Sequence, residues 1–120
     1  MSKRRDWDYL NDISEAIQRI LSYTDGQTFE QFLQDTKTQD AVVRNLQVVG
    51  EATKKLSTSL RSSHKEIPWK KLAGVRDKMV HFYFGIIYEI VWEIATKELP
   101  VLLPQLNEIL AKQKPNSKSK

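Results

Sequence analysis

The chain has 120 residues, a length that fits one domain and is too short for a second catalytic one. Its composition is 40% hydrophobic and 28% charged, which is typical of a folded globular protein, and the absence of Cys excludes disulfides, thiolate metal sites and a Cys nucleophile. The formal net charge of +4 is unevenly distributed, since residues 6–43 hold eight acids against two bases and residues 44–78 hold nine bases against three acids.

The first half of the chain carries three helical patterns. Apolar residues at spacings of three and four predict a first helix over residues 7–23. Thr28 and Gln31 have capping-box spacing and predict a short second helix. Thr38 or Asp40 is expected to cap a long third helix that ends near residue 63.

The second half predicts a fourth helix and a bent last one. Pro68 occupies a first-turn position, and the fourth helix is expected to run from there to about residue 80. The aromatic run before Gly85 weakens helix formation, and apolar periodicity resumes at Ile86. Pro100 and Pro104 should each kink or restart the last helix because proline lacks an amide donor.

These patterns predict an all-α fold, a compact bundle of four to five helices. The helical domain is expected over residues 1–111 and a disordered basic tail over residues 112–120. No apolar run approaches the roughly 20 residues that a membrane-spanning helix needs, and the chain begins with charged residues, so we expect a cytoplasmic protein without membrane contact.

The basic segment at residues 44–78 favours binding of a polyanion, although a solvated Lys-rich helix face has the same composition. Two His without a nearby pair of acids predict no metal site, and nothing in the sequence indicates a cofactor.

Reactive and aromatic side chains are densest over residues 76–84. Arg76 suits phosphate binding and His81 suits proton transfer, which are the two parts of a metal-independent ribonuclease. On an ideal helix these two side chains diverge by about 140°. A shared site therefore requires a helix break near His81 or a second subunit across a two-fold axis. The alternative is that Arg76 pairs with Asp77 or Glu89 and His81 packs in the core.

The motif Arg76-x4-His81-x-Tyr83 resembles that of the HepT family within the HEPN superfamily. Its context is similar too, from Pro68-Trp69-Lys70-Lys71 before the motif to Glu89-Ile90-Val91-Trp92-Glu93 after it. Residues 43–52 look like the family's third-helix segment and residues 99–106 like its final helix, so the resemblance covers about residues 6–111.

The resemblance implies a HEPN-like ribonuclease toxin of a type II or VII-like toxin–antitoxin pair, usually a homodimer. Arg76 and His81 would be catalytic, with Asp77 and Tyr83 in supporting roles. It also implies a partner, a minimal nucleotidyltransferase antitoxin that transfers AMP from ATP to Tyr83 and so inhibits the toxin. The family commonly has Asn after the motif Arg; here the charge of Asp77 could orient the catalytic pair or weaken RNA binding.

The expected substrate is RNA and not DNA, cleaved by an endo- or exoribonuclease mechanism, with phosphate contacts from Lys70, Lys71 and Lys78. One alternative is a catalytically silent, dimeric interaction subunit of a nucleotidyltransferase complex. A third reading is a plain RNA-binding module, for which His81 would be dispensable.

Overall fold

The secondary structure of the chain is almost entirely helical in the computed structural model, which describes residues 4–81 and 85–113. The helices are α1 (Asp6–Thr24), α2 (Phe29–Leu33), α3 (Thr36–Lys54), α4 (Thr58–Ser63), α5 (Trp69–Ala73), α6 (Val75–Met79), α7 (Tyr88–Glu93) and α8 (Leu99–Gln113). A π-helical turn (Ile94–Glu98) joins α7 to α8, and two short antiparallel strands, β1 (Val80–His81) and β2 (Gly85–Ile86), lie between α6 and α7. The predicted all-α bundle is confirmed.

The core lies where α1 packs against α3 and α8. The apolar stripe predicted on the first helix is its buried face, and Leu10, Ile13 and Ile17 are fully inaccessible. A buried polar contact also joins two of these helices, since Ser14 Oγ donates to Asn107 Oδ1 at 2.7 Å. This pairing satisfies a hydroxyl that would otherwise be costly to bury.

The first two helices agree with the sequence. Helix α1 extends one residue beyond the predicted range at each end. The capping box is formed, because Gln31 N donates to Thr28 Oγ1 at 3.1 Å and Thr28 N donates to Gln31 Oε1 at 2.9 Å.

The predicted start of the third helix is wrong. Helix α3 begins at Thr36, and its cap is Asp35, whose Oδ1 accepts from Thr38 N at 3.0 Å. Asp35 Oδ2 accepts from Thr38 Oγ1 at 2.6 Å. Thr38 therefore serves as the donor to the cap rather than as the cap, and Asp40 lies within the helix.

The predicted end of the third helix is also wrong, because the chain breaks between α3 and α4. Ser57 caps α4 by accepting from Leu60 N at 3.0 Å. Asp6, at the start of α1, accepts from Ser57 N at 2.9 Å and from Ser57 Oγ at 2.6 Å. The break is thus held by a carboxylate 51 residues away, which a local pattern does not reveal.

Asp35 gives the fold a predicted acid sensitivity. Hydrogen bonds from the Thr38 side chain and backbone hold the pKa of the Asp35 carboxyl below its usual value. Its stabilising contribution is therefore present above the unfolded-state pKa and is lost as the pH falls through the folded-state pKa. We expect Asp35→Asn to destabilise the protein at neutral pH and to differ less from wild type below pH 3.8.

Urea unfolding at several pH values, from neutral to below 3.8, measures the free energy of unfolding of Asp35→Asn and of wild type. Asp25→Asn is the matched control, because Asp25 makes no side-chain hydrogen bond with a described residue. If the difference in the free energy of unfolding between Asp35→Asn and wild type stays constant with pH, ionised Asp35 does not stabilise the fold in the way proposed.

The predicted fourth helix is divided at Gly74 into α5 and α6. The division lies against α3, where a Cβ on Gly50 would be 3.3 Å from Val75 Cγ1 and 3.5 Å from Leu72 O. The absence of a side chain on Gly50 thus allows the backbone of the α5–α6 junction to approach α3 closely.

The two prolines of the last helix have different effects. The π-helical turn ends two residues before Pro100 and contains residue 96, whose carbonyl the proline ring would clash with in a regular α-helix. Pro104 lies inside α8 without ending it. Helix α8 continues to Gln113, two residues beyond the predicted domain limit, and the rest of the predicted tail, residues 114–120, lies outside the described residues. None of the helices in the described ranges is both long and apolar enough to span a membrane.

Candidate functional site

Helix α6 presents the first half of the predicted motif at the surface. Val75 and Met79, four residues apart, are buried and anchor one face of the helix. Arg76, Asp77 and Lys78 lie between them and are exposed. The buried pair therefore fixes a short helix from which three charged side chains project into solvent.

The helix ends before His81. The backbone is extended at Val80, with φ −111° and ψ 127°, and β1 pairs with β2 so that Val80 lies opposite Ile86 and His81 opposite Gly85. The amide of Ile87 closes this unit by donating to Met79 O at 2.8 Å. Of the two geometries that the sequence left open, the helix break is present, so the separation of about 140° on an ideal helix does not apply.

Gly85 allows the second strand to follow this path. Its φ of +77° lies in the left-handed region, where side chains with a Cβ are strained. The predicted all-α fold did not include these two short strands. The signal available was the β-branched Val80 and Ile86 on either side of an aromatic run that ends in glycine.

Arg76 does not form the ion pair proposed as its structural alternative. Within residues 4–81 and 85–113, no carboxylate lies within 4.0 Å of its guanidinium, and Asp77 and Glu89 are both exposed. A guanidinium that is exposed and not engaged by these acids retains its donors for an anionic ligand.

The three lysines predicted to contact RNA are in two different places. Glu98, in the π-helical turn, forms ion pairs with Lys71 and Lys78. Its Oε1 lies 3.2 Å from Lys71 Nζ and its Oε2 lies 3.7 Å from Lys78 Nζ, so Glu98 joins α5 and α6 to this turn. Lys70 instead lines a groove beside α4. Sequence reasoning missed Glu98, because no local signal links it to lysines 20 and 27 residues earlier.

An aromatic cluster supports the chain that follows β2. The ring centroids of Phe32 and Trp92 are 5.1 Å apart, and those of Phe32 and Tyr88 are 6.2 Å apart in an edge-to-face arrangement. Helix α7 has Ile87 at its N-cap and no side-chain cap. Its position therefore depends on this packing rather than on a cap.

Part of the predicted site lies outside the described residues. Tyr83, the predicted AMP acceptor, is within the range 82–84, which the structure does not describe. For His81 the structure gives the backbone position in β1. In the part of the chain that is described, no three His, Asp or Glu side chains come together in a group that could hold a metal ion.

Comparison with known proteins identifies the class of this helical domain. The sequence profile described as "Ribonuclease HepT-like" matches residues 13–109, which is most of the chain. The chain therefore belongs to the HepT-like ribonuclease family, which confirms the resemblance carried by the motif.

Two relatives show the extent of the similarity. The chain is 44% identical over 100 residues to "Probable ribonuclease HepT" of Thermococcus cleftensis, covering 83% of this chain and 91% of that protein. It is 43% identical over 102 residues to a "Putative RNase" of Methanocaldococcus jannaschii, covering 85% of this chain and 84% of that protein. No solved structure gives a significant match.

Proposed function

We propose that this protein is a ribonuclease that cleaves RNA without a metal ion, using Arg76 and His81. One observation carries the proposal: α6 ends at Met79, so Arg76 projects from a helix while His81 follows on a strand. The exposed guanidinium of Arg76, which no described carboxylate engages, and the names of the relatives support it.

The proposed reaction is an internal transesterification. His81 accepts the proton of a ribose 2′-hydroxyl, and the 2′-oxygen forms a bond to the adjacent phosphorus. The bond from phosphorus to the 5′-oxygen breaks, and that oxygen receives a proton. Arg76 stabilises the negative charge that develops on the phosphoryl oxygens. The products carry a 2′,3′-cyclic phosphate and a 5′-hydroxyl.

A homodimer completes the proposed reaction. One proton is removed and another is delivered, whereas each chain supplies one motif histidine. A two-fold axis would bring a second copy of Arg76 and His81 to the same cleft, so that each step has its own imidazole.

Proposed control of the activity acts through Tyr83, in a toxin–antitoxin pair with a minimal nucleotidyltransferase. The phenolic oxygen of Tyr83 would attack the α-phosphorus of ATP, forming a bond to AMP and releasing pyrophosphate and the phenolic proton. The AMP group would add negative charge and bulk two residues from His81, and would thereby repel and block an RNA phosphate.

Incubation of the purified protein with total cellular RNA in excess EDTA tests the reaction. We expect fragments with 2′,3′-cyclic phosphate and 5′-hydroxyl ends. Fragments that carry other ends, or that form only when a metal ion is added, would contradict the mechanism. If the RNA stays intact and Tyr83 is unmodified by mass, the silent interaction subunit becomes the better assignment.

Intact mass after incubation with the nucleotidyltransferase and ATP tests the modification. We expect the mass of one AMP group or more to be added to the wild-type chain and none to Tyr83→Phe. An increase that persists in Tyr83→Phe would place the acceptor elsewhere.

Glu98 provides a test of the proposed phosphate contacts. Glu98→Gln removes the carboxylate shared by Lys71 and Lys78, so both cations become available to RNA. Because exposed ion pairs contribute about 0.2–1 kcal/mol each, we expect RNA affinity to rise roughly two- to fivefold at low salt. Fluorescence anisotropy with a labelled single-stranded RNA measures the change.

Glu93→Gln is the matched control for this experiment. It removes one charge from the same helical region, where Glu93 Oε2 lies 3.1 Å from Lys97 Nζ. Equal gains in affinity for the two variants would indicate a general charge effect and would argue against contacts from Lys71 and Lys78.

A further inference from the structure

A groove between α4 and α5 has the features of a binding site for phosphate groups. It has a volume of about 480 Å³, within the range of about 300–1,000 Å³ that is usual for ligand sites. Three cations, Arg61, Lys65 and Lys70, line it together with the hydroxyl-bearing residues Thr58 and Ser62. None of the described side chains that line the groove is acidic.

The cations of the groove are not paired with a carboxylate in the part of the chain that the structure describes. Arg61, Lys65 and Lys70 form no ion pair with a described carboxylate, in contrast to Lys71 and Lys78, which Glu98 engages. In addition, Arg61 Nε is buried and has no hydrogen-bond partner among the described residues. The groove thus holds three cations without an ion-pair partner among the described residues. One of them, Arg61, also has a buried Nε donor that no described protein group accepts.

The shape of the groove is fixed by the chain between the two helices. Trp69 is almost fully buried, lines the groove, and donates from Nε1 to His64 O at 2.9 Å. His64 N in turn donates to Arg61 O at 3.3 Å. These bonds tie the end of α4 to the start of α5, so the cations are carried on a preorganised wall.

Helix α5, which lines the groove, is followed directly in the chain by α6, which carries Arg76. Lys70 and Ala73 line the groove, and Arg76 follows Ala73 by three residues on the adjoining helix. Lys70 and Arg76 are six residues apart in the sequence, on either side of the junction at Gly74. A single strand whose scissile phosphate lies at Arg76 carries a phosphate on every flanking nucleotide.

We propose that this groove holds the phosphodiester backbone of the RNA strand beside the cleaved bond. Arg61 and Lys65 would contact phosphates, and Thr58 and Ser62 would supply hydroxyl hydrogen bonds to the backbone. The groove would bind without reading bases, because phosphate contacts position a strand and carry no sequence information directly. This inference rests on the proposed ribonuclease function and adds a flanking site to it.

The test measures binding of a fluorescein-labelled single-stranded oligouridine across a range of salt concentrations. Each phosphate contact contributes about 0.7 to the slope of log affinity against log salt for a single strand. We expect the double variant Arg61→Gln with Lys65→Gln to lower that slope by about 1.4. Lys65→Gln alone, at an exposed position, should lower it by about 0.7.

Arg19→Gln with Lys37→Gln is the control, since it removes the same side-chain types from exposed positions in the acidic segment. If the slope falls equally in both double variants, the proposal that the groove binds RNA phosphates is wrong. It is also wrong if the slope is unchanged in Lys65→Gln, because Lys65 is exposed and its substitution leaves the packing of the core intact. These results would leave the ribonuclease proposal intact, whereas failure of the wild-type protein to bind RNA would overturn both.

Discussion

Replacing His81 with Ala is expected to lower the rate of RNA cleavage by a factor of about 10²–10⁴, which is the usual contribution of a positioned general acid or base. Arg76→Ala should lower it by about 10²–10³, because the charge that develops on the phosphoryl oxygens loses its partner. Arg76→Lys should restore only part of the activity, since an ammonium lacks the guanidinium fork. Initial rates on one RNA substrate measure all three variants.

The chain offers a matched control for each substitution. His64 is the other histidine of the chain, and it lies between α4 and α5, where its carbonyl accepts from Trp69 Nε1. Arg19 is exposed on α1. We expect His64→Ala and Arg19→Ala to retain the wild-type rate. Cleavage that survives both His81→Ala and Arg76→Ala would contradict the assignment of these residues.

Phe32→Ala is expected to cause the largest loss of stability, about 3–5 kcal/mol in the free energy of unfolding. Phe32 is fully buried, and its ring packs between Tyr88 and Trp92 of α7. Truncation would leave a cavity between α2 and α7 and remove these aromatic contacts. Because α7 follows β2 directly, we also expect weaker support for the strand pair that carries His81.

Urea unfolding with linear extrapolation measures this loss. Phe29→Ala is the control, because Phe29 is only partly buried and contacts Trp92 at a centroid distance of 6.1 Å. Phe29→Ala should lower the free energy of unfolding by clearly less than Phe32→Ala does. Equal losses for the two variants would contradict the prediction that the buried ring contributes more than the partly exposed one.

The local signals in the sequence were reliable where neighbouring residues decide the structure. The limits of α1 follow from its apolar stripe, and the start of α2 follows from the capping box of Thr28 and Gln31. Each of these features depends on contacts within about one helical turn, which periodicity and capping rules describe.

The candidate site could be predicted as a motif but not as an arrangement. The chemistry of Arg76 and His81 makes them candidate site residues, and the family resemblance adds Tyr83. Spacing alone did not decide between a helix break and a second subunit, nor did it indicate that Glu98 engages two of the expected RNA-binding lysines. The groove at Arg61 depends on how α4 and α5 pack together. The sequence pattern of each helix does not indicate that packing.

The sequence by itself determined the helical class, the family and the residues available for catalysis, because these depend on composition, local periodicity and side-chain chemistry. The tertiary structure decided where the helices break. Asp6 holds the break before α4, Gly50 admits the α5–α6 junction, and the pairing of Val80 with Ile86 ends α6 before His81. These contacts join residues far apart in the chain, and their free energy exceeds the weak local preference to continue a helix.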